Sequence, residues 1–203
     1  SINYEHIDQP SNEIDEILDS LNDLVKMGKI RYIGLSNETP WGTMKFLHHS
    51  SISSTPRVQS IQNAYNLLNR TFEIGGSEIA HREDVGLLAY SPLAQGYLTG
   101  KYQNGKLPKG SRKELFNRLQ RYEGPYAENA IEDYLSIAKK YSIDPSQLAN
   151  QFVTTRPFVT SNIIGATSLE QLKLAVTSIE VNLTEEIENE IEKTFQKHGN
   201  VAS

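Results

Sequence analysis

The 203-residue chain has no cysteine, only two methionines and a single tryptophan. Without cysteine it can form no disulfide and present no thiolate, and it suits a reducing, cytoplasmic compartment. No apolar run approaches the ~18–20 residues that cross a bilayer, so no membrane segment is expected. Charge of one sign is not in excess: 20 basic and 25 acidic residues are interleaved, for a formal net charge of −5. That leaves no electrostatic basis for binding nucleic acid. The phosphate-binding patterns G-x-G-x-x-G and G-x-x-x-x-G-K-[ST] are both missing, since Gly100-Lys101 is followed by Tyr102. Three N-x-[ST] triplets, at Asn37, Asn69 and Asn182, read as chance matches in a cysteine-free chain.

What remains, 37% hydrophobic and 22% charged residues, describes one globular domain of good size or two small ones. The chain starts at Ser1 with a polar, aperiodic stretch over residues 1–12, and targeting is not judged from that end. The spacing of Ile14, Ile17, Leu18, Leu21, Leu24 and Val25 predicts an amphipathic helix, with Asn12 as cap and Gly28 as stop. Short apolar, β-branched runs predict strands at 30–36, 57–66, 85–91 and 159–165. Between them lie helical patterns at 39–50, 69–84 (interrupted by Gly75-Gly76), 128–142, 144–156, 167–179 and 184–197. Residues 103–124 read as an extended polar loop with some helix. The acidic run Glu185–Glu192 reads as a solvated helix face. Alternation of strand and helix, with strands expected to be buried on both faces, predicts a parallel α/β sheet. Four such strands fit either an open sheet or half of an eight-stranded barrel.

Parallel sheets place their ligands at the C-terminal ends of the strands. The four predicted ends carry Ser36-Asn37, Gln62-Asn63, Tyr90-Ser91-Pro92-Leu93 and Gly165-Ala166-Thr167. These are amides, hydroxyls, an aromatic plane and a glycine entering a helix. The set contains no acid–base pair. Amide side chains can both donate to and accept from a carboxamide, and an aromatic face stacks on a ring. A helix N-terminus receives phosphate, and Lys101 supplies a point charge. His48-His49 suggests a metal, but neighbouring helix residues point ~100° apart and no further ligand stands three or four residues away.

Four segments, GKIRYIGLSN, IQNAYNLLNR, LLAYSPLAQGYLTGKY and IIGATSLEQL, come in the order and spacing of the second half of an aldo-keto reductase. The resemblance runs from about Ile14 to Lys197. The style of the third segment resembles the bacterial branch that also includes the potassium-channel β subunits. The resemblance implies the (β/α)8 TIM-barrel fold, with the four strands as strands five to eight, and one domain, 1–203, forming the C-terminal portion of that barrel. It implies NADPH as cofactor, bound without a Rossmann domain, and a small-molecule carbonyl substrate reduced by hydride transfer. By the same resemblance Ser36, Asn37 and Gln62 hold the nicotinamide carboxamide and Tyr90 stacks on its ring. Ser91, Pro92, Leu93, Ala94 and Gly96 form the loop over the diphosphate, with Lys101 and Arg112 near phosphate. Gly165, Thr167 and Gln171 receive the 2′-phosphate end. Leu174 and Ala175 stand where the family usually has a Glu-Asn pair at the adenine. The family's catalytic Asp, Tyr, Lys and His precede the matched stretch, and His6 is not assigned that role. The expectation is therefore a cofactor-binding half without its proton-donor half. A nucleotide-sensing regulatory subunit and an inactive fragment are the alternatives, and the oligomeric state is left open.

Overall fold

The computed structural model describes residues 12–116 and 120–202. His6 and most of the polar N-terminal stretch lie outside the described residues. Helix α1 (Asn12–Lys26) follows the predicted stripe, buries Leu18 completely and stops where Gly28 adopts a left-handed φ of +70°. Strand β1 (Ile33–Ser36) leads to α2 (Pro40–Ile52), which begins where the Gly42 N–H donates to Thr39 Oγ1 at 3.0 Å. Next come β2 (Val58–Ala64), a 3₁₀ turn at Thr71–Glu73, α3 (Gly76–Arg82) and β3 (Gly86–Tyr90). A 3₁₀ segment at Ala94–Thr99 follows β3, and the long polar loop contains 3₁₀ segments at Gln103–Gly105 and Gln120–Tyr122 and the short α4 (Arg112–Phe116). The chain then forms α5 (Ala127–Lys140), α6 (Pro145–Thr154), β4 (Val159–Ile163), α7 (Leu169–Thr177) and α8 (Glu185–His198). Asp144 Oδ1 caps α6, accepting from Ser146 N–H at 2.7 Å, with Pro145 in the first turn as the sequence requires.

The four strands are parallel and stand in chain order, β1-β2-β3-β4. This order decides between the two architectures. An open doubly wound sheet reverses its strand order part-way; this one does not. Right-handed crossovers taken in one direction put every connecting helix on the same side of the sheet, which is the winding of a barrel wall.

One expectation is overturned here. The strands are sealed on one face and only partly covered on the other, where Val58 and Ala64 are buried, Ser60, Gln62, Leu88 and Tyr90 are half-buried, and the outer strands β1 and β4 are exposed. Ile61, Leu87 and Ala89 are sealed under the helices, whereas Gly34, Ser36, Ser161 and Ile163, on the other face, are exposed. The helices that connect the strands lie on the sealed side. A single apolar cluster lies between sheet and helices. Its centre holds Tyr65, stacked on Phe152 with ring centroids 5.8 Å apart. The buried Arg70 guanidinium lies 4.0 Å from the Phe195 ring and is paired with Glu73 and Glu192, tying α8 to the segment after β2.

Candidate functional site

The sheet register sets the tips of β1, β2 and β3 side by side. Ser36 pairs with Gln62, Gln62 with Leu88, and Ala64 with Tyr90. Asn37, immediately after β1, takes a left-handed φ of +56°, a conformation asparagine tolerates better than most residues. Its N–H donates to the Gln62 carbonyl at 2.9 Å, and its side-chain oxygen accepts from the Tyr90 hydroxyl at 2.8 Å. Tyr90 in turn accepts Tyr65 N–H at its carbonyl, 3.3 Å away. Asn37, Gln62 and Tyr90 are therefore brought to one place. The Gln62 side chain is half-buried and has no hydrogen bond among the described residues, and Asn37 Nδ2 makes only a long 3.4 Å contact to Ser36 Oγ. The amides are held by their backbone or one oxygen, and their remaining donors and acceptors are open to a ligand.

Two residues missed by the sequence reading complete this cluster. Asn66 is fully buried; its Nδ2 donates to the Ser91 carbonyl at 2.9 Å and to the Tyr122 hydroxyl at 3.1 Å, while its Oδ1 accepts from Leu68 and Asn69 N–H. It fixes the start of the loop after β3. Arg121 sits beside Tyr90. The nearby Tyr90 hydroxyl holds the guanidinium above its ordinary value, against the smaller opposing effect of burial. Nothing in a polar, aperiodic stretch marks Arg121 in advance; Asn66 carries a weak signal, as a turn-forming residue just past a strand.

The loop after β3 is strained. Ser91, Ala94 and Gln95 have φ of +58°, +48° and +58°, and Gly96 has +101°. Such clustering of non-glycine residues in the left-handed region is characteristic of ligand-gripping loops. The loop closes on itself through Ala94 N–H to Ser91 O at 2.9 Å and Gly96 N–H to Leu93 O at 2.8 Å. This leaves the Leu93 and Gln95 amides without a backbone acceptor among the described residues. Pro92 is buried beneath the turn. At Gly96 a Cβ would lie 2.6 Å from Lys101 Cε and 2.8 Å from its Nζ. Glycine is thus what lets Lys101 fold back over the loop and keep its ammonium there.

The remaining predicted residues are not gathered in the same way. Arg112 opens α4, exposed, with no hydrogen bond to the Lys101 loop among the described residues. Gly165 is exposed with open space around it. Thr167 and Gln171 hold each other: Gln171 Oε1 accepts from Thr167 N–H at 2.9 Å and from its hydroxyl at 3.1 Å. Ser168 Oγ accepts Gln171 N–H at 3.2 Å, so the group is a helix cap in its own right. It borders a shallow hollow lined by Ile164, Thr167 and Leu172. His49 Nδ1 is engaged by Asp15 at 2.5 Å rather than sharing a site with His48.

A model of the Aldo/keto reductase family matches residues 2–195. The chain belongs to the aldo/keto reductase family. It is 46% identical over 187 residues to Protein tas of Escherichia coli, covering 92% of this chain and 54% of that protein. It is 31% identical over 199 residues to a putative voltage-gated potassium channel subunit beta of Schizosaccharomyces pombe, covering 93% of this chain and 57% of that one. The glycerol dehydrogenase of Gluconobacter oxydans superposes with a TM-score of 0.72 at 25% identity, over 94% of this chain and 57% of that one. The chain thus spans about half the length of the curated relatives it matches. For this aldo/keto reductase chain the singly wound sheet has its explanation: the four strands are part of a (β/α)8 wall, and the strand ends that meet at Tyr90 lie at the end of the wall where such barrels carry their sites. No helix among the described residues is long and apolar enough to cross a membrane.

Proposed function

We propose that this chain carries the nicotinamide-dinucleotide seat of a carbonyl reductase, with NADPH as cofactor and a small aldehyde or ketone as substrate. The observation that carries the reading is the Tyr90–Asn37 hydrogen bond, which passes over the tip of β2 and joins three strand ends to one another. The donor set suits the group. Asn37, Gln62 and Ser36 offer amide and hydroxyl functions to a carboxamide, and no aromatic neighbour among the described residues stacks on the Tyr90 ring. The Leu93 and Gln95 amides, with Lys101 folded over the loop, suit phosphate; Arg112 at phosphate and Gly165, Thr167 and Gln171 at the 2′-phosphate end are carried over from the family likeness alone. When bound, the dihydronicotinamide supplies a hydride to the carbonyl carbon. No catalytic residue is assigned to this chain. The proton for the carbonyl oxygen is proposed to come from groups outside it, with residues 1–203 forming the strand-five-to-eight portion of one barrel.

The test is a fluorescence titration of the chain with NADPH and NADH. Saturable NADPH binding that is weakened by Tyr90→Ala supports the seat; binding that ignores the substitution removes it. Light scattering tests the half-barrel reading, because a partly covered sheet face and, among the described residues, two unpaired outer strand edges favour association. A species larger than the 22.8 kDa monomer is expected, and a cooperatively melting monomer would contradict it. The likeness to a potassium-channel β subunit favours a second reading, a nucleotide-sensing regulator. Turnover of aldehydes by the full-length protein separates the two: NADPH binding without turnover selects the regulator.

A further inference from the structure

Among the described residues, Arg121 stands at the strand tips with no carboxylate to neutralise it. Its place is fixed by the next residue. Tyr122 is buried, and its hydroxyl accepts from Asn66 Nδ2 at 3.1 Å, while the same Nδ2 donates to the Ser91 carbonyl at 2.9 Å. The 3₁₀ turn at Gln120–Tyr122 is thereby tied to the end of β3. Arg121 itself is exposed, and its guanidinium lies beside the Tyr90 and Tyr122 hydroxyls. The Tyr90 hydroxyl gives its proton to Asn37 Oδ1 at 2.8 Å, so it offers the guanidinium a lone pair and no charge. Other arginines are matched by acids: Arg57 by Glu83, Arg70 by Glu73 and Glu192, Arg82 by Glu78, and Arg156 by Glu188. Glu123, two residues beyond Arg121, is taken by Lys113 and the Tyr97 hydroxyl. A guanidinium presents five donors in a planar fork that fits a carboxylate, more than two phenol oxygens satisfy.

We propose that Arg121 selects a carbonyl substrate bearing a carboxylate, which the guanidinium grips through paired N–H groups. The proposal rests on the nucleotide seat described above and names the substrate class of that site. Tyr90 links the two: its ring is the platform offered to the nicotinamide, and its hydroxyl adjoins Arg121. Whatever reacts over that ring is a neighbour of this positive charge. A neutral carbonyl compound leaves the charge unmatched, whereas a carboxylate gains charge-assisted hydrogen bonds from it. The cofactor's phosphates have a cation of their own in Lys101, which folds back over Gly96.

Benzoate and benzamide are the probes, alike in shape and different in charge. NADP⁺ is first titrated into the ¹⁵N-labelled chain and should shift the Leu93 and Gln95 amides. Benzoate added to that complex should then shift the Arg121 Nε–H saturably, with benzamide about tenfold weaker or worse. NADP⁺ that leaves the loop amides unmoved defeats the seat and takes this inference with it. NADP⁺ that binds while benzoate leaves Arg121 unmoved, or binds no better than benzamide, overturns this inference alone. In the full-length protein, Arg121→Gln should raise the KM for 4-carboxybenzaldehyde about thirtyfold at similar kcat. The KM for its uncharged counterpart, methyl 4-formylbenzoate, should change less than about threefold. An equal rise for the two aldehydes makes the part of Arg121 structural and overturns the proposal. A loss confined to NADPH affinity overturns it too, by assigning the guanidinium to the cofactor. Turnover of neither aldehyde with NADPH bound selects the regulator, which has no substrate for Arg121 to choose, and the proposal falls.

Discussion

The tips of β3 and β4 are built from similar materials and held in different ways. At β3, Tyr90 reaches Asn37 across 53 residues of sequence, and Asn66 reaches Ser91 across 25. At β4, Thr167 and Gln171 are four residues apart and satisfy each other. The first arrangement exists only once the sheet is assembled, so its polar groups are positioned by tertiary structure. The second would form wherever α7 forms. A hydroxyl and an amide next to a helix start are therefore poor evidence of a site by themselves, whereas the same groups drawn together from three strands are good evidence. Substitutions in the two regions should accordingly differ in reach: those at β3 should disturb fold and binding together, and those at β4 should stay local.

The largest effect is expected at Asn66. Asn66→Ala leaves the Ser91 carbonyl and the Leu68 and Asn69 amides without their side-chain partner in a fully buried position. A loss of about 3 kcal/mol is expected. For a chain of this size that lowers the calorimetric melting temperature by roughly 6–12 °C. A loss under about 1 kcal/mol would show that the loop after β3 is held by something else.

Binding changes come next. Tyr90→Ala should weaken NADPH about a hundredfold, combining the lost ring contact with the lost hydrogen bond to Asn37. Tyr90→Phe keeps the ring and removes only the hydroxyl that reaches Asn37, so about tenfold is expected. If the two variants bind alike, the ring contributes nothing and the stacking role fails.

Much of this contrast was legible in the residues, and where it was not the cause is physical. The apolar runs placed all four strands, and Gly28 marked a helix end that the structure keeps. Full burial on both faces is the wrong expectation because a short apolar run hides the alternation within it. Taken two residues at a time, Gly34, Ser36, Ser60 and Gln62 already separate a small, polar face from the apolar one. The left-handed turns at Ala94 and Gln95 had no such signal, since neither residue type prefers that conformation; neighbouring contacts impose it. Arg121 belongs to the same class, a long-range partner that no local pattern announces.

At β4 the expected effects are smaller. Ser168→Ala removes the acceptor for Gln171 N–H and should destabilise the start of α7 by about 1 kcal/mol. Faster amide exchange confined to residues 169–172 would report it, and NADPH affinity should change less than about threefold because the exposed cap contributes little positioning. A hundredfold loss here would erase the distinction between the two tips.

The smallest effect concerns pH, and it falls on the β3 side alone. The loop after β3 is latched to the polar stretch that follows it by Glu123, which accepts from the Tyr97 hydroxyl and pairs with Lys113 at 2.7 Å. Lys113, and then Tyr97, hold the Glu123 carboxyl below its usual range. Burial, reinforced by the hydrogen bond to Glu123, pushes the Tyr97 phenol up to about 12. A depressed carboxyl contributes stability above its unfolded value and loses it as pH falls through the folded value. A raised phenol contributes fully below its ordinary 10.0 and loses that contribution as pH climbs from there toward 12. The latch should therefore be flat through neutral pH and weaken at both extremes, whereas the Thr167–Gln171 cap contains only neutral groups and has no such limbs. Melting temperatures measured across pH should show a shallower acid limb in Glu123→Gln and a shallower alkaline limb in Tyr97→Phe, the rest of each limb belonging to other shifted groups such as Asp133 and Lys113. If both variants keep the parent's profile, the latch does not hold the loop, and the tertiary character claimed for the β3 tip then rests on Asn66 and Tyr90 alone.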